Sequence, residues 1–319
     1  MDQPPFAGDP SPTAHGTGVR APRLVPPPPG TPYHRLARTP AHRWWRPLVG
    51  TLLVAAGFVV APLIVIAVSQ VVAFALGVGY DLVTGTYDDP VFTLAVLLIA
   101  IAVLLPLPYG AAALAQRRPP GTVSSVEGRV RWRWLWLCLA GAVGASLLGN
   151  IVLLVLPATE AGDEQFRWIG WTAFLPALVV TLLVVPFQAA AEEYVFRGWV
   201  VQAFGAYLRT PWPGIVVGSA VFVVMHAYTG WGIVDVFAFG VFTGWLAVRT
   251  GGLEAAIALH VVNNLAGVLI SAASGNLERV LQQGSVPWQA LVGTVVQFAV
   301  YAVFVLIYMR KRAIRTVSR

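Results

Sequence analysis

The sequence is short of charge, of cysteine and of lysine. Only 11% of its 319 residues are charged, whereas about a quarter is usual in soluble domains. Its one cysteine, Cys138, excludes a disulfide framework or a cysteine metal cluster within the chain. Its one lysine, Lys311, leaves arginine to supply most of the net charge of +7. The arginines cluster beside apolar runs, which favours contact with anionic lipid headgroups over nucleic-acid binding.

Apolar residues take the place of the missing charge. They make up 57% of the chain, and the mean hydropathy is +0.71. A helix needs about 20 residues to cross the hydrocarbon core, and eight runs approach that length: 49–77, 90–114, 134–156, 171–204, 213–229, 232–249, 254–273 and 288–309. Backbone amides in lipid must pair within their own segment, so these runs predict helices. The predicted fold class is an all-α, polytopic transmembrane helical bundle of about eight spans.

The placement of arginine predicts the orientation of this bundle. Positive residues concentrate before the first run, after the second and after the last, and such clusters favour the cytoplasmic side. Acidic residues lie instead at 80–89 and 157–167. Eight spans with both termini cytoplasmic satisfy every cluster. We therefore expect a multi-pass protein of a cell membrane, and the Ala- and Arg-rich composition favours a bacterial plasma membrane.

Three regions are predicted along the chain. Residues 1–45 are rich in proline and have too little apolar surface to offset the entropy of ordering, which predicts a disordered cytoplasmic tail. A polyproline docking site for a partner is the alternative for this region. A transmembrane domain follows over 46–312, and a short basic C-terminal tail over 313–319.

Three ionisable residues stand in the apolar stretch QAAAEEYVFRGW, residues 188–199. Each would cost about 2.5–3.5 kcal/mol at the bilayer centre, so they need compensation. Glu193 and Arg197 are four apart on a helix and can pair, which predicts structural support. Glu192 lies about 100° around the helix without such a partner and is predicted to do the chemistry. The alternative is that all three lie at a hydrated helix end.

Two histidines and an asparagine in later runs are candidates to meet Glu192. On antiparallel neighbouring helices, Glu192 and His226 both lie about 20 Å from the cytoplasmic end. His260 and Asn264 are four apart and share one face of the seventh run. The alternatives are a satisfied core histidine at His226 and an interhelical polar clamp at His260 and Asn264.

This set of side chains predicts hydrolysis of an amide. A carboxylate can take a proton from water, an imidazole can orient that water, and hydrogen-bond donors can stabilise an oxyanion. No serine or cysteine nucleophile is required. A zinc site built from the glutamate and the two histidines is the competing interpretation, although the H-E-x-x-H motif is absent.

Three motifs occur in the order and spacing typical of one family. They are EExxxR at 192–197, FxxxH at 222–226 and HxxxN at 260–264. Over residues 187–264 the combination resembles the CAAX-protease and bacteriocin-processing (CPBP) intramembrane glutamic endopeptidases. Glu254 departs from the family pattern, in which an apolar or aromatic residue is more usual. It is interpreted either as an interfacial charge or as a change in substrate access.

The resemblance implies a role for each candidate residue. It implies four catalytic residues, Glu192, His226, His260 and Asn264. Glu193 and Arg197 would hold the site in shape. Glu192 would activate water with the help of His226. His260 and Asn264 would form the oxyanion hole. It also implies no cofactor and no metal, with the lipid bilayer and a membrane-associated protein or peptide substrate as partners.

Two other classes of protein remain open on the sequence. A non-catalytic immunity or scaffold protein could use the same fold, with the ionisable residues serving only to stabilise it. A proton-coupled transporter could use Glu192 as a relay, but such proteins usually carry internal repeats, and no clear repeat is evident.

Overall fold

The computed structural model describes residues 23–156 and 166–319, which are mostly helical. The helices are α1 (Trp45–Leu76), α2 (Pro90–Ala102), α3 (Pro106–Leu114), α4 (Trp132–Val155), α5 (Trp171–Glu193), α6 (Val201–Gly205), α7 (Trp212–Val224), α8 (Trp231–Thr250), α9 (Glu254–Ala273), α10 (Leu277–Gln282) and α11 (Trp288–Lys311). Two short strand pairs accompany them, antiparallel β1 (Tyr80–Asp81) with β2 (Thr86–Tyr87) and parallel β3 (Tyr228–Gly230) with β4 (Gly284–Val286). Residues 1–22 of the predicted tail and most of the acidic segment 157–167 lie outside the described residues.

Seven stretches of the described chain are long and apolar enough to cross a membrane. Two of them join helices: α2 continues towards α3, and α5 reaches α6 through a π-helical turn at Tyr194–Val200. The predicted all-α polytopic membrane bundle is confirmed. The fifth predicted run differs in length, because α7 has only 13 residues. Beyond it, Tyr228 and Thr229 favour a strand and form part of β3.

Both ends of the described chain lie on one side of the bundle. Pro32 and Val317 form an antiparallel bridge, and the amide of Ser318 donates to the carbonyl of Thr31 at 2.9 Å. Two ends on one side require an even number of crossings, so α7 and the residues after it complete the eighth passage. Which side faces the cytoplasm stays a prediction.

Helix α9 lies at the centre of this bundle and α1 at its edge. The most apolar 18-residue stretch of α9 is 56% buried, whereas that of α1 is only 6% buried. Helix α9 packs against both α4 and α5, and α4 in turn packs against α11. Side chains on α9 can therefore reach several neighbouring helices, which makes it the natural support for a shared site.

The described part of the predicted disordered tail is ordered, which corrects that prediction over residues 23–44. Tyr33 and Leu36 are fully buried, and the Tyr33 hydroxyl donates to the carbonyl of Val123 at 2.6 Å. A 3₁₀ turn at Tyr33–Arg35 packs against α6. Mean composition led to the wrong prediction here, because an average over the segment does not register the few apolar side chains that dock on the bundle.

Substituting Gly205 with alanine should loosen this docked segment. A Cβ at Gly205 would collide with the backbone carbonyl oxygen of His34, which cannot rotate away. Overpacking of this kind costs about 1–3 kcal/mol. We expect faster trypsin cleavage at Arg35 and Arg38 in the detergent-solubilised protein. Gly110→Ala is the matched control, because no neighbouring heavy atom lies within 4 Å of its Cβ position; equal cleavage rates in the two variants would contradict the docking.

Glu254 occupies a buried ion pair at the start of α9, not an exposed interface. Its carboxylate is 2.6 Å from the Arg131 guanidinium, and it also accepts the backbone amide and Nε of Arg131, both at 2.9 Å. Arg131 further donates to the carbonyls of Thr250 and Arg315. The pair therefore ties the loop before α4 to the α8–α9 turn and to the C-terminal segment.

Candidate active site

The acidic pair enters the bundle interior at the end of α5. Glu192 and Glu193 are 6% and 0% exposed, and the alanines Ala189 and Ala191 beside them are fully buried. Small residues allow helices to approach closely in a membrane, and this part of α5 packs directly on α9. The sequence AAAEE thus brings two carboxylates within reach of polar groups on α9.

A π-helical turn follows the acidic pair directly, and sequence reasoning did not foresee it. It spans Tyr194–Val200, and such turns are frequent at functional sites. Its first residue is held by a triangle of hydroxyls, in which Tyr194, Tyr109 and Ser124 lie 2.7–2.8 Å from one another. This triangle fixes the turn to α3 and to the loop that follows α3.

His260 bridges the two carboxylates. Its Nε2 lies 3.2 Å from Oε2 of Glu192, and its Nδ1 lies 2.8 Å from Oε1 of Glu193. The ring packs edge-on against Phe222 and Phe239, with centroid distances of 6.0 and 5.1 Å. The sequence left Glu192 without a charged partner on its own helix, and the structure supplies an ionisable partner, His260, from α9.

The predicted pairing of Glu193 with Arg197 is confirmed by their separation. Arg197 Nη1 lies 3.1 Å from Oε1 of Glu193, and both side chains are buried. The guanidinium also lies over the ring of Phe222, 4.2 Å from its centroid. None of its three nitrogens has an aligned hydrogen-bond partner among the described residues. Its interaction with Glu193 is therefore mainly that of charge with charge, together with a cation–π contact.

His226 lies just beyond the end of α7 and faces the same aromatic cluster. Its ring packs on Phe222, with a centroid distance of 4.4 Å, and Phe222 also contacts His260. Its Nδ1 donates to the carbonyl of Phe222 at 2.7 Å. In the neutral ring this leaves Nε2 as a hydrogen-bond acceptor. No hydrogen bond joins His226 to Glu192 among the described residues.

Asn264 joins the cluster through Gln188, a residue that sequence reasoning missed. Nε2 of Gln188 donates to Oε2 of Glu192 at 2.7 Å, and Oε1 of Gln188 accepts from Nδ2 of Asn264 at 2.9 Å. The available signal was a buried amide one helical turn before Glu192, in an otherwise apolar run. His260 and Asn264 share one face of α9, as predicted, and both reach side chains of α5.

The two oxygens of Glu192 have different surroundings. Oε2 receives both contacts, one from Gln188 and one from His260. Within the described residues, Oε1 has no hydrogen-bond partner. His226 and Asn264 are half-buried, and so less enclosed than Glu192. The arrangement therefore leaves one carboxylate oxygen unpaired in a cluster that also contains an imidazole and a carboxamide.

The zinc interpretation finds little support in this geometry. In the described part of the chain, no group of three or more His, Cys, Asp or Glu side chains is arranged to hold a metal ion. Glu192 and His260 do meet, but the Nδ1 of His226 is directed at a backbone carbonyl. Both ring nitrogens of His260 face carboxylates, which leaves neither free for a metal.

Fold and site together define a polytopic helical membrane protein with a buried Glu–His cluster at its core. Residues 171–266 match the family model described as type II CAAX prenyl endopeptidase Rce1-like. The match confirms the predicted resemblance to the CPBP family over this segment. It contains all six residues predicted for the site.

Two bacterial proteins are similar to this chain. The uncharacterized protein YyaK of Bacillus subtilis (strain 168) is 24% identical over 193 residues, which cover 58% of this chain and 64% of the relative. An uncharacterized 24.3 kDa protein of Escherichia coli is 32% identical over 131 residues, covering 40% of this chain and 58% of the relative. The chain thus spans less than two thirds of the length of each relative. No solved structure matches it.

Proposed function

We propose that this protein is an intramembrane glutamic endopeptidase that cleaves a membrane-associated protein or peptide in a bacterial plasma membrane. The observation that carries the proposal is the asymmetry of Glu192, whose Oε2 is held by two partners while Oε1 stays free. A carboxylate fixed at one oxygen is oriented to act as a general base through the other. The Rce1-like match over residues 171–266 supports the same reaction class.

The first step is addition of water to the scissile carbonyl. Oε1 of Glu192 takes one proton, and the resulting hydroxide attacks the carbonyl carbon to give a tetrahedral oxyanion. His226 orients the water through its Nε2 acceptor. In the second step Glu192 returns the proton to the amide nitrogen, and the C–N bond breaks to give a carboxylic acid and an amine. The acid then passes its proton to the amine, and the products leave as a carboxylate and an ammonium group.

The oxyanion is held by donors on α9. Asn264 uses one N–H for Gln188 and has a second N–H to donate. His260 contributes its Nε2–H. The 3.2 Å contact of Nε2 with Glu192 is longer than the 2.8 Å contact of Nδ1 with Glu193, so it is the easier of the two to exchange for a bond to the oxyanion. Each preorganised donor of this kind contributes about 2.7–4 kcal/mol to transition-state stabilisation in other enzymes.

Glu193 and Arg197 keep this site in shape. The Glu193 carboxylate holds Nδ1 of His260 and compensates the buried Arg197 cation. Arg197 in turn lies over Phe222, the ring against which His226 packs. A change at either residue would therefore disturb both histidines as well as the stability of the bundle.

Comparison of membrane peptides from cells that express the wild-type protein or Glu192→Gln tests the proposal. We expect an uncut membrane-associated species to accumulate in the Glu192→Gln strain and to disappear on complementation. Glu127→Gln, at a half-buried carboxylate that pairs with Arg129 outside the site, is the control and should match the wild type. Identical peptide profiles in all three strains would favour a non-catalytic scaffold. Loss of cleavage after chelation, with recovery on adding zinc, would instead favour a metalloprotease.

A further inference from the structure

We infer that Gln188 is a positioning residue that holds the base and an oxyanion donor in one fixed arrangement. Gln188 is 4% exposed and its two polar atoms contact two different site residues. Its Nε2 donates to Glu192 and its Oε1 accepts from Asn264. The inference rests on the proposed function, because it assigns a role in that same reaction.

The orientation of both partners depends on these two hydrogen bonds. The bond to Oε2 of Glu192 restricts rotation of the carboxylate and leaves Oε1 as the oxygen that faces water. Among the described residues, the hydrogen bond to Gln188 is the one that holds the Asn264 carboxamide. It therefore fixes the direction of the second N–H of Asn264. Gln188 thus sets the distance between the group that activates water and the group that receives the oxyanion.

A merely structural clamp between α5 and α9 would contain the same contacts, so the test must separate the two roles. Gln188→Met keeps the volume and removes both hydrogen bonds. The matched control is Gln202→Met, at a buried glutamine on the same membrane span whose Nε2 donates to the carbonyl of Thr122 at 2.9 Å. Both variants lose a buried amide, but only the first lies in the site.

The kinetic arm uses purified protein in proteoliposomes and the uncut species that accumulates in Glu192→Gln membranes. We expect Gln188→Met to lower kcat by about 10–100-fold with little change in KM, because small misplacements of reacting groups can cost up to 10²-fold. Gln202→Met should leave kcat unchanged. Adding Asn264→Ala to Gln188→Met should cost less than the product of the single losses, since the two residues act through one contact.

The spectroscopic arm needs no substrate. The side-chain amide of Asn264, assigned by its loss in Asn264→Ala, should exchange its protons at least about tenfold faster in Gln188→Met than in Gln202→Met. An unchanged exchange rate, or an unchanged kcat in Gln188→Met while Glu192→Gln abolishes cleavage, would overturn the inference and leave the proposed function standing. Full activity in Glu192→Gln would remove the proposed function instead, and the exchange rate would then show whether Gln188 orders Asn264.

Discussion

Glu192→Gln is expected to lower kcat by about 10²–10⁴-fold, the range usually contributed by a general base. The substitution keeps the volume of the side chain, and the new carboxamide oxygen can still accept hydrogen bonds from Gln188 and His260. It cannot take a proton from water at neutral pH. The measurement is the cleavage rate of the accumulated membrane species by purified protein in proteoliposomes.

The control for this prediction is the folded state of the variant. Thermal unfolding in detergent should give a similar midpoint for Glu192→Gln and for the wild type, because the buried cluster keeps its hydrogen bonds. Glu127→Gln should retain both the midpoint and the rate. A Glu192→Gln protein that is stable and cleaves within twofold of the wild-type rate would show that the base lies elsewhere.

Glu254→Ala is expected to reduce the free energy of unfolding by about 3–5 kcal/mol, the cost of breaking a buried pair and leaving one charge uncompensated. The Glu254 carboxylate accepts three hydrogen bonds from Arg131, and both side chains are buried. Its removal leaves the Arg131 cation with only two backbone carbonyls. Denaturation of the protein in detergent micelles measures the loss.

The same loop provides a more exposed pair for comparison. Glu127 lies 3.4 Å from Arg129, and their side chains are 18% and 73% exposed; pairs in contact with solvent contribute about 0–1 kcal/mol. Glu127→Ala should therefore have little effect on unfolding. The double variant Arg131→Met/Glu254→Leu should recover much of the loss, because it leaves no unpaired charge. Equal losses for Glu254→Ala and Glu127→Ala would contradict the burial of the first pair.

The parts of the site that could be predicted from the sequence are those set by one helix at a time. The spacing of Glu193 and Arg197 fixes their contact on a single helical face, and the spacing of His260 and Asn264 directs both towards the same neighbour. The apolar runs likewise predict a multi-span bundle, because crossing a membrane is a property of each run alone. These local relations required no knowledge of which helices touch.

Contacts between helices could not be read in the same way. The bridge formed by His260 depends on the angle and depth at which α5 meets α9, which sequence spacing does not determine. Gln188 was overlooked although its bond to Glu192 joins residues four apart on one helix. Its bond to Asn264, 76 positions away, depends on how α5 meets α9. The short length of α7 also depends on tertiary context, because β3 pairs with a strand that follows α10.

The bridge between Pro32 and Val317 constrains the order in which the protein assembles. The ribosome releases the segment around Pro32 first, but its bridge partner Val317 emerges only after α11 has been made. Tyr33 can dock earlier, against Val123 and α6, but the bridge at Pro32 must wait until α11 has reached the bilayer. Closure of this bridge is therefore a late event in biogenesis, and it joins the segment made before α1 to the segment made after α11.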